Sequence, residues 1–228
     1  MLVLASASPR RRELLTQAGF SFEVHPAHIP EDPKPGEDPI AYVVRLAREK
    51  AQAVFTQLTD QPGAPEPVLS PSKACPEPVE GDIASDTWEV TKTTASEKRA
   101  SAPLQVVLGA DTTVTLDGQI LGKPEDAADA ARMLRLLSGR THRVITGVAV
   151  VTAARTEVAA EVTAVKFLTL SEEEIAAYIA TGEPMDKAGA YAIQGCAARW
   201  IPRIEGDYFN VVGLPLALVS TLLESCTL

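Results

Sequence analysis

The chain has 228 residues, a formal net charge of −9, and an ordinary composition with 46% hydrophobic and 22% charged residues. This length is enough to bury the core of one large domain or of two small ones. Because proteins that bind nucleic-acid polymers carry a basic surface, the acidic balance argues against a nucleic-acid partner. Local basic clusters remain compatible with a small anionic ligand.

The three cysteines, Cys75, Cys196 and Cys226, are odd in number and lack the spacing of a zinc site. This pattern favours reduced thiols over a disulfide framework. The N-terminal MLVLASASPRRR places its apolar stretch before its basic one, the reverse of a secretory signal. No apolar run approaches the length of a membrane span. We therefore expect a cytoplasmic protein with no membrane partner.

The first sixty residues are predicted to hold two strands and two helices. Ser8-Pro9 and Asp38-Pro39 each combine a helix-capping residue with a proline suited to the first helical turn. Gly19 is suited to end the first helix. The expected elements are a strand at Leu2 to Ala5, a helix at Pro9 to Ala18, a strand at Phe20 to Val24 and an amphipathic helix over residues 40–55.

Residues from about 60 to 103 differ in character, being rich in proline, serine, threonine and acidic residues without a sustained period. Prolines at this density exclude a helix or a central strand. A structureless loop of this length is uncommon inside a compact domain. We interpret the segment as a mobile insertion in a single domain spanning residues 1–228. The alternative, a linker between two domains, is weaker because the N-terminal piece is too small to fold alone.

The remaining sequence alternates between strand and helix patterns, which favours an α/β fold with a mixed sheet. Ser171 with Glu174 forms the signature of a capping box. The expected elements are a strand from Gln105 that ends at Asp111, a polar break, a hairpin turning at Asp117-Gly118, a helix at Asp126 to Leu137, strands at Arg143 to Val151 and Glu157 to Leu168, a helix from Ser171 to Ile179, a strand at Trp200 to Ile204 and a helix at Pro215 to Leu223.

The first candidate site is the segment that carries Ser8, Arg10 and Arg11, between a strand and a helix start. The free N–H groups of a helix N-terminus favour an anion, and arginines supply forked donors for phosphate. The alternative is a helix start with solvated arginines.

The second candidate is acidic. A carboxylate at the end of an apolar strand, as expected for Asp111, is costly unless it is paired or bound to a metal. Glu31 and Asp111 together would supply two oxygen ligands for Mg²⁺ or Mn²⁺. The alternative for Asp111 is a turn-forming residue. Lys123 beside Pro124 could reach a phosphate, or be a solvated loop lysine.

The third candidate is the glycine-containing segment from Asp186 to Gly195. Its glycines allow close backbone approach to a ligand, and the Gln194 amide can both donate and accept, as needed to read a base edge. The alternative is a glycine-rich turn between a helix and a strand. Arg45 and Glu49 are expected to form an ordinary i,i+4 pair on the long helix.

Several longer motifs carry a resemblance when they are taken in order: LASASPRRRELL, VVRLAREKA, GADTTV, ILGKP, MLRLLSGRTH, TGEPMDKAGAYAIQG and VVGLPL. Together they resemble the Maf family of nucleoside triphosphate pyrophosphatases, which is linked by name to septum formation. The likeness covers nearly the whole chain outside the insertion. It implies the Maf/Ham1 (ITPase)-like α/β fold, a mixed twisted sheet flanked by helices, with two lobes around a deep cleft.

The resemblance also implies roles for individual residues. It implies phosphate binding by Ser8, Arg10, Arg11, Lys50 and Lys123, base choice by Arg11, Thr112 and Gln194, a catalytic or metal-binding role for Asp111 and a metal-site role for Glu31. A divalent cation, Mg²⁺ or Mn²⁺, would be the cofactor, and the protein would form a homodimer.

The activity implied by the resemblance is a hydrolase that converts dTTP and UTP to the monophosphate and pyrophosphate, with housecleaning of modified nucleotides as a further role. The ADT and DKAGAYAIQG motifs are similar to this branch, while a sister branch acting on 7-methyl-GTP is the first alternative. The second is a nucleotide-binding regulator of cell division with little turnover. A structural interaction module would leave the polar residues unexplained.

Overall fold

The structure, a computed structural model, describes residues 1–60 and 105–227. The insertion predicted at about 60–103 lies almost wholly outside the described residues and stays a prediction, as does any role of Cys75. The described strands are β1 (Leu2–Leu4), β2 (Phe22–Val24), β3 (Val106–Leu116), β4 (Gln119–Leu121), β5 (Thr141–Val151), β6 (Thr156–Lys166) and β7 (Arg203–Glu205). The described α-helices are α1 (Pro9–Gln17), α2 (Pro39–Thr59), α3 (Ala127–Leu137), α4 (Glu172–Ala180), α5 (Tyr208–Val212) and α6 (Leu216–Thr227).

All of these strands join one mixed sheet in the order β2-β1-β3-β5-β6-β7, with β4 paired to β3. β1 runs parallel to both β2 and β3, whereas the other neighbouring pairs are antiparallel. The predicted mixed α/β sheet flanked by helices is therefore confirmed. None of the helices in the described ranges is long and apolar enough to cross a membrane.

The central strand β3 is longer than the sequence suggests. The predicted polar break after Asp111 is wrong, because β3 continues to Leu116 and pairs with β5 from Val107 to Thr115. The threonines that suggested a break are β-branched residues, which fit a pleated and half-buried surface. Asp111 therefore lies in the middle of a strand rather than at its end, and its neighbour Thr112 faces the opposite side of the sheet.

Helix α2 lies directly on β3 and β5 because two glycines leave room for its backbone. A Cβ atom at Gly109 would overlap the Ala47 carbonyl oxygen, and one at Gly147 would overlap the backbone of Val43. Only glycine permits this approach. The close packing brings the C-terminal half of α2 over the centre of β3.

Other predicted elements need smaller corrections. The strand predicted at Trp200 to Ile204 is present but begins later, because Cys196–Trp200 is a 3-10 turn and β7 forms where it pairs with the end of β6. Ser8 precedes α1, but its side chain makes no capping hydrogen bond. The capping box of Ser171 and Glu174 is confirmed.

An aromatic cluster containing a neutral histidine closes one end of the core. His142 is 1% exposed, its Nε2 lies 2.7 Å from the Tyr191 hydroxyl, and its ring packs edge-on against Phe167. Its Nδ1 has no hydrogen-bond partner within the described residues. Burial lowers the pKa of His142 to about 3.

This histidine should make the stability depend on pH. The unfolded chain takes up a proton near pH 6.5, whereas the folded chain does so only near pH 3, so the free energy of unfolding falls as the pH drops through this window. The contribution of His142 between pH 6.5 and about pH 5 is about 2 kcal/mol. Urea unfolding of the wild type and of His142→Phe at both pH values measures it. Tyr191→Phe, which keeps the imidazole, should retain the dependence, and an unchanged dependence in His142→Phe would contradict the assignment.

Candidate active site

A buried lysine joins two carboxylates at the centre of the sheet. The Nζ atom of Lys50, on α2, lies 2.7 Å from Oδ1 of Asp111 on β3 and 2.6 Å from Oε1 of Glu31, in the loop before α2. Lys50 and Asp111 are each only 7% exposed. Buried charges are tolerated when they are paired, so Lys50 and Asp111 depend on each other, while Glu31, whose side chain is 49% exposed, joins them from the surface.

The surroundings shift the pKa values of the two carboxyl groups in opposite directions. Burial raises the pKa of Asp111, and the positive charges of Lys50 and Arg11 offset only part of this effect. At Glu31 burial acts in the same direction, but the hydrogen bond from Lys50 and the charges of Lys50, Lys123 and Arg11 outweigh it, so the pKa is lowered. Asp111 is therefore the better proton acceptor of the pair, while Glu31 stays ionised.

Glu31 and Asp111 could hold a divalent cation whose remaining ligands come from a substrate and from water. No group of three or more histidine, cysteine, aspartate or glutamate side chains in residues 1–60 and 105–227 is placed to hold a metal. Glu31 and Asp111 nevertheless both contact the Lys50 ammonium, so they are the two carboxylates that could hold a cation at this site. Mg²⁺ is typically bound by one or two carboxylates, with waters and substrate phosphates completing the shell.

The partly buried guanidinium of Arg11 forms most of its hydrogen bonds with other residues of the protein. It donates to the carbonyl oxygens of Ala110 and Gly213, both at 2.8 Å, and to the hydroxyls of Ser6 at 3.1 Å and Thr112 at 3.0 Å. These bonds use four of its five N–H donors. Burial lowers the pKa of Arg11, and the Asp111 carboxylate opposes the shift. Arg11 thus joins α1 to β3 and to the turn before α6.

Arg10, Lys123 and the Ser8 hydroxyl are in a different situation. Among the described residues none of these three groups has a hydrogen bond or an ion pair, so each is available to a ligand. The charge of Lys123 acts on Glu31, which places this lysine near the acidic pair, whereas the charge of Arg10 acts on Arg11 and Asp186. The structure therefore separates the two arginines that the sequence presents as one phosphate-binding pair.

Thr112 lies on the sheet face opposite Asp111, in a hydrogen-bond network through Thr146 that the sequence does not predict. Its hydroxyl is 3.0 Å from that of Thr146, which donates to the carbonyl oxygen of Asn210 at 3.1 Å. Asn210 is fully buried, and its amide donates to the carbonyl oxygen of Val144 at 3.0 Å. The signal available in the sequence was a lone asparagine inside the apolar run YFNVVGLPL.

Two of the sequence motifs meet through their backbones. The Gly189 N–H donates to the carbonyl oxygen of Gly122 at 3.0 Å, which joins the segment before Gln194 to the loop of Lys123. Gly189 has φ +69°, and a Cβ atom there would overlap the side chain of Val114. Gln194 is exposed, and its amide forms no hydrogen bond with the described residues. The backbone of this region forms short 3-10 segments at Glu183–Asp186 and Ala188–Ala190, as the alternative of a glycine-rich turn describes.

Residues 25–38, which carry Glu31, lie between β2 and α2 without regular secondary structure. Tyr42 donates from its hydroxyl to the Glu31 carbonyl oxygen at 2.8 Å, and Arg45 donates to the Asp32 carbonyl oxygen at 3.2 Å. Arg45 also binds both carboxylate oxygens of Glu37, at 2.6 and 2.7 Å. We call these contacts the loop clamp. The expected pair of Arg45 with Glu49 is present, at 3.3 Å, but it is the longer contact.

Two surface cavities lie away from this cluster. One, of about 390 Å³, lies between the start of α2, the β3–β4 turn and the start of β5. The other, of about 510 Å³, borders α1 and β2. Neither is lined by Asp111, Glu31 or Lys50. The candidate site is therefore identified from the convergence of charged side chains and not from the size of a cavity.

The loop clamp generates a prediction with a matched control on the same arginine. Glu37→Gln replaces the charged bidentate partner of Arg45 and should speed amide hydrogen exchange in residues 26–37 by on the order of tenfold. Glu49→Gln removes the other partner of Arg45, which lies outside this loop, and should leave that exchange unchanged. Hydrogen exchange followed by mass spectrometry measures both. Equal protection of the loop in the two variants would show that the clamp does not hold it.

Comparisons with known proteins identify the family of this chain. A family model described as "Maf-like protein" matches residues 1–226. A protein of Koribacter versatilis named dTTP/UTP pyrophosphatase is 46% identical over 98% of this chain and 93% of its own length. A protein of the same name from Geobacter metallireducens is 47% identical over 96% of this chain and 92% of its own length. A third protein of that name, from Bacillus pumilus, is 41% identical over 98% of this chain and 95% of its own length. These matches extend almost from end to end, and the chain belongs to the Maf family.

Proposed function

We propose that this protein hydrolyses dTTP and UTP to the nucleoside monophosphate and pyrophosphate. The observation that carries the proposal is the ion-paired group of buried Asp111 and Lys50 with the more exposed Glu31, with the charge of Lys123 acting on Glu31. The names of the similar proteins support the choice of substrate. The cytoplasmic location and the homodimer stay predictions.

The basic residues suit the charge of a triphosphate. The Lys50 ammonium has three N–H donors, two of which bind carboxylates, so the third is available to a phosphate oxygen. Arg10 and Lys123 would add positive charge where the pyrophosphate leaves. A Mg²⁺ or Mn²⁺ ion held by Asp111 and Glu31 would supply further positive charge beside the phosphates and make a nearby water more acidic.

Asp111 is suited to take the proton of the attacking water. Its Oδ1 accepts the Lys50 hydrogen bond, while its Oδ2 accepts none from the described residues. Burial raises the pKa of this carboxyl, which makes it a stronger base than an ordinary aspartate. In the proposed reaction the water oxygen bonds to the α-phosphorus, the bond to the bridging oxygen breaks, and pyrophosphate departs.

Gln194 is the candidate residue whose side chain is free to recognise the base. The guanidinium of Arg11 and the hydroxyl of Thr112 are bound within the protein, whereas the Gln194 amide is free among the described residues. An amide can donate and accept, as the N–H and carbonyl of the thymine and uracil edge require. Because an amide can also rotate to face cytosine, selectivity depends on how the surrounding loop holds it.

Pyrophosphate release from dTTP, UTP, CTP, 7-methyl-GTP, GTP and ITP, with Mg²⁺ or Mn²⁺, tests the proposal. Selective release from dTTP and UTP supports both the chemistry and the base choice. Release mainly from 7-methyl-GTP or ITP would keep the enzyme class and overturn the substrate. No release in a folded protein that still binds nucleotide would contradict hydrolysis and favour the regulator.

The role of Asp111 has its own test. Asp111→Asn removes the base and should lower kcat by about 10³-fold, a typical loss for a general base, while nucleotide binding measured by calorimetry persists. Asp117→Asn is the matched control, since Asp117 directly follows the same strand at the exposed hairpin and, among the described residues, forms its one ion pair with Arg140 at the surface. Turnover within a few-fold of the wild type in Asp111→Asn would rule out the assignment.

A further inference from the structure

The segment Ala192–Cys196, here called the Gln194 loop, is tied to the core at both ends by side chains outside it. The Ala192 N–H donates to the Tyr178 hydroxyl at 3.2 Å. The Cys196 N–H donates to the Glu183 carboxylate, 3.2 Å from each oxygen. The Tyr178 hydroxyl in turn donates to Oε1 of Glu183 at 2.8 Å. One phenol–carboxylate pair therefore closes the loop.

The pair leaves the loop little room to shift. The Tyr178 hydroxyl both donates and accepts, so its hydrogen-bonding capacity is well used. A Cβ atom at Gly195 would overlap the Glu183 carboxylate, so the loop backbone lies directly against it. Within the loop, the Gly195 N–H donates to the Ala192 carbonyl oxygen at 3.1 Å, which makes a turn with Gln194 at its third position.

Tyr178 is packed firmly in the core, whereas Gln194, at the tip of the loop, is exposed. Tyr178 is 2% exposed, and its ring packs edge-on against Trp200 with 5.1 Å between the ring centroids. Trp200 is itself bound through its indole N–H to Glu174 on α4, at 3.2 Å. The position of Gln194 is thus set by the aromatic core through two hydrogen bonds to backbone and not by contacts of its own side chain.

We propose that Tyr178 and Glu183 are positioning residues for base selection, which hold Gln194 where its amide meets the edge of the pyrimidine. This inference rests on the proposed function, because it requires that Gln194 contacts the base. Neither residue needs to touch the substrate. Their loss would allow the loop to move, which weakens the discrimination between thymine and cytosine and leaves Asp111 and Glu31 unaltered.

The first test is Tyr178→Phe, which keeps the ring and its packing but removes the hydroxyl. The ratio of kcat/KM for dTTP over CTP should fall about tenfold, mostly through a higher KM for dTTP, with kcat nearly unchanged. Glu183→Gln, which replaces one accepting oxygen with a donor, should act in the same direction and serves as a second variant. Tyr191→Phe is the matched control, because its equally buried hydroxyl binds His142 and not the loop. An unchanged ratio in both test variants would overturn the proposal.

A double-mutant cycle with Gln194→Ala separates this inference from the proposed function. If the proposal holds, Gln194→Ala lowers the dTTP-to-CTP ratio and Tyr178→Phe lowers it no further in that background. If Tyr178→Phe has its full effect without Gln194, the pair acts by another route and the proposal fails. If Gln194→Ala lowers the ratio but Tyr178→Phe does not, only the positioning role fails. If Gln194→Ala leaves the ratio unchanged, the base-reading role of Gln194 fails and takes the proposal with it.

Discussion

The structure depends on one buried cation placed between two carboxylates. Lys50 pairs with Asp111 and Glu31, and removing Lys50 would leave the buried Asp111 carboxylate without its ion-pair partner. Nothing in the local sequence brings these residues together, since they come from a helix, a strand and a loop. Their meeting depends on the backbone of α2 lying against the sheet, which Gly109 and Gly147 permit.

Successive side chains of β3 point to opposite faces of the sheet, so the strand contributes to two separate groups of polar residues. Asp111 faces α2, where charge is concentrated, and Thr112 faces the network built around Arg11 and Asn210. Adjacent residues in the GADTTV motif therefore serve two sides of the sheet. The neighbouring residues Arg10 and Arg11 also differ in role. Arg11 donates its hydrogen bonds to carbonyl and hydroxyl oxygens of the protein, whereas Arg10 remains available to a ligand.

The two loops that carry site residues are held in the same way, by hydrogen bonds from side chains outside the loop to the loop backbone. Tyr42 and Arg45 hold the backbone around Glu31, and Tyr178 and Glu183 hold the backbone around Gln194. In both cases a tyrosine hydroxyl and a charged side chain bind main-chain atoms. Loops that must meet a ligand cannot bury their own side chains, so their geometry is fixed through the backbone.

The sequence by itself determined the alternation of strands and helices, the capping of α4, the family and the set of candidate residues, because these depend on local periodicity and on motif order. Only the tertiary structure decided that Asp111 lies in mid-strand, that Arg11 is bound within the protein, and that Glu37 rather than Glu49 is the main partner of Arg45. Strand pairing and long-range hydrogen bonds join residues far apart in the chain, so no local pattern contains them.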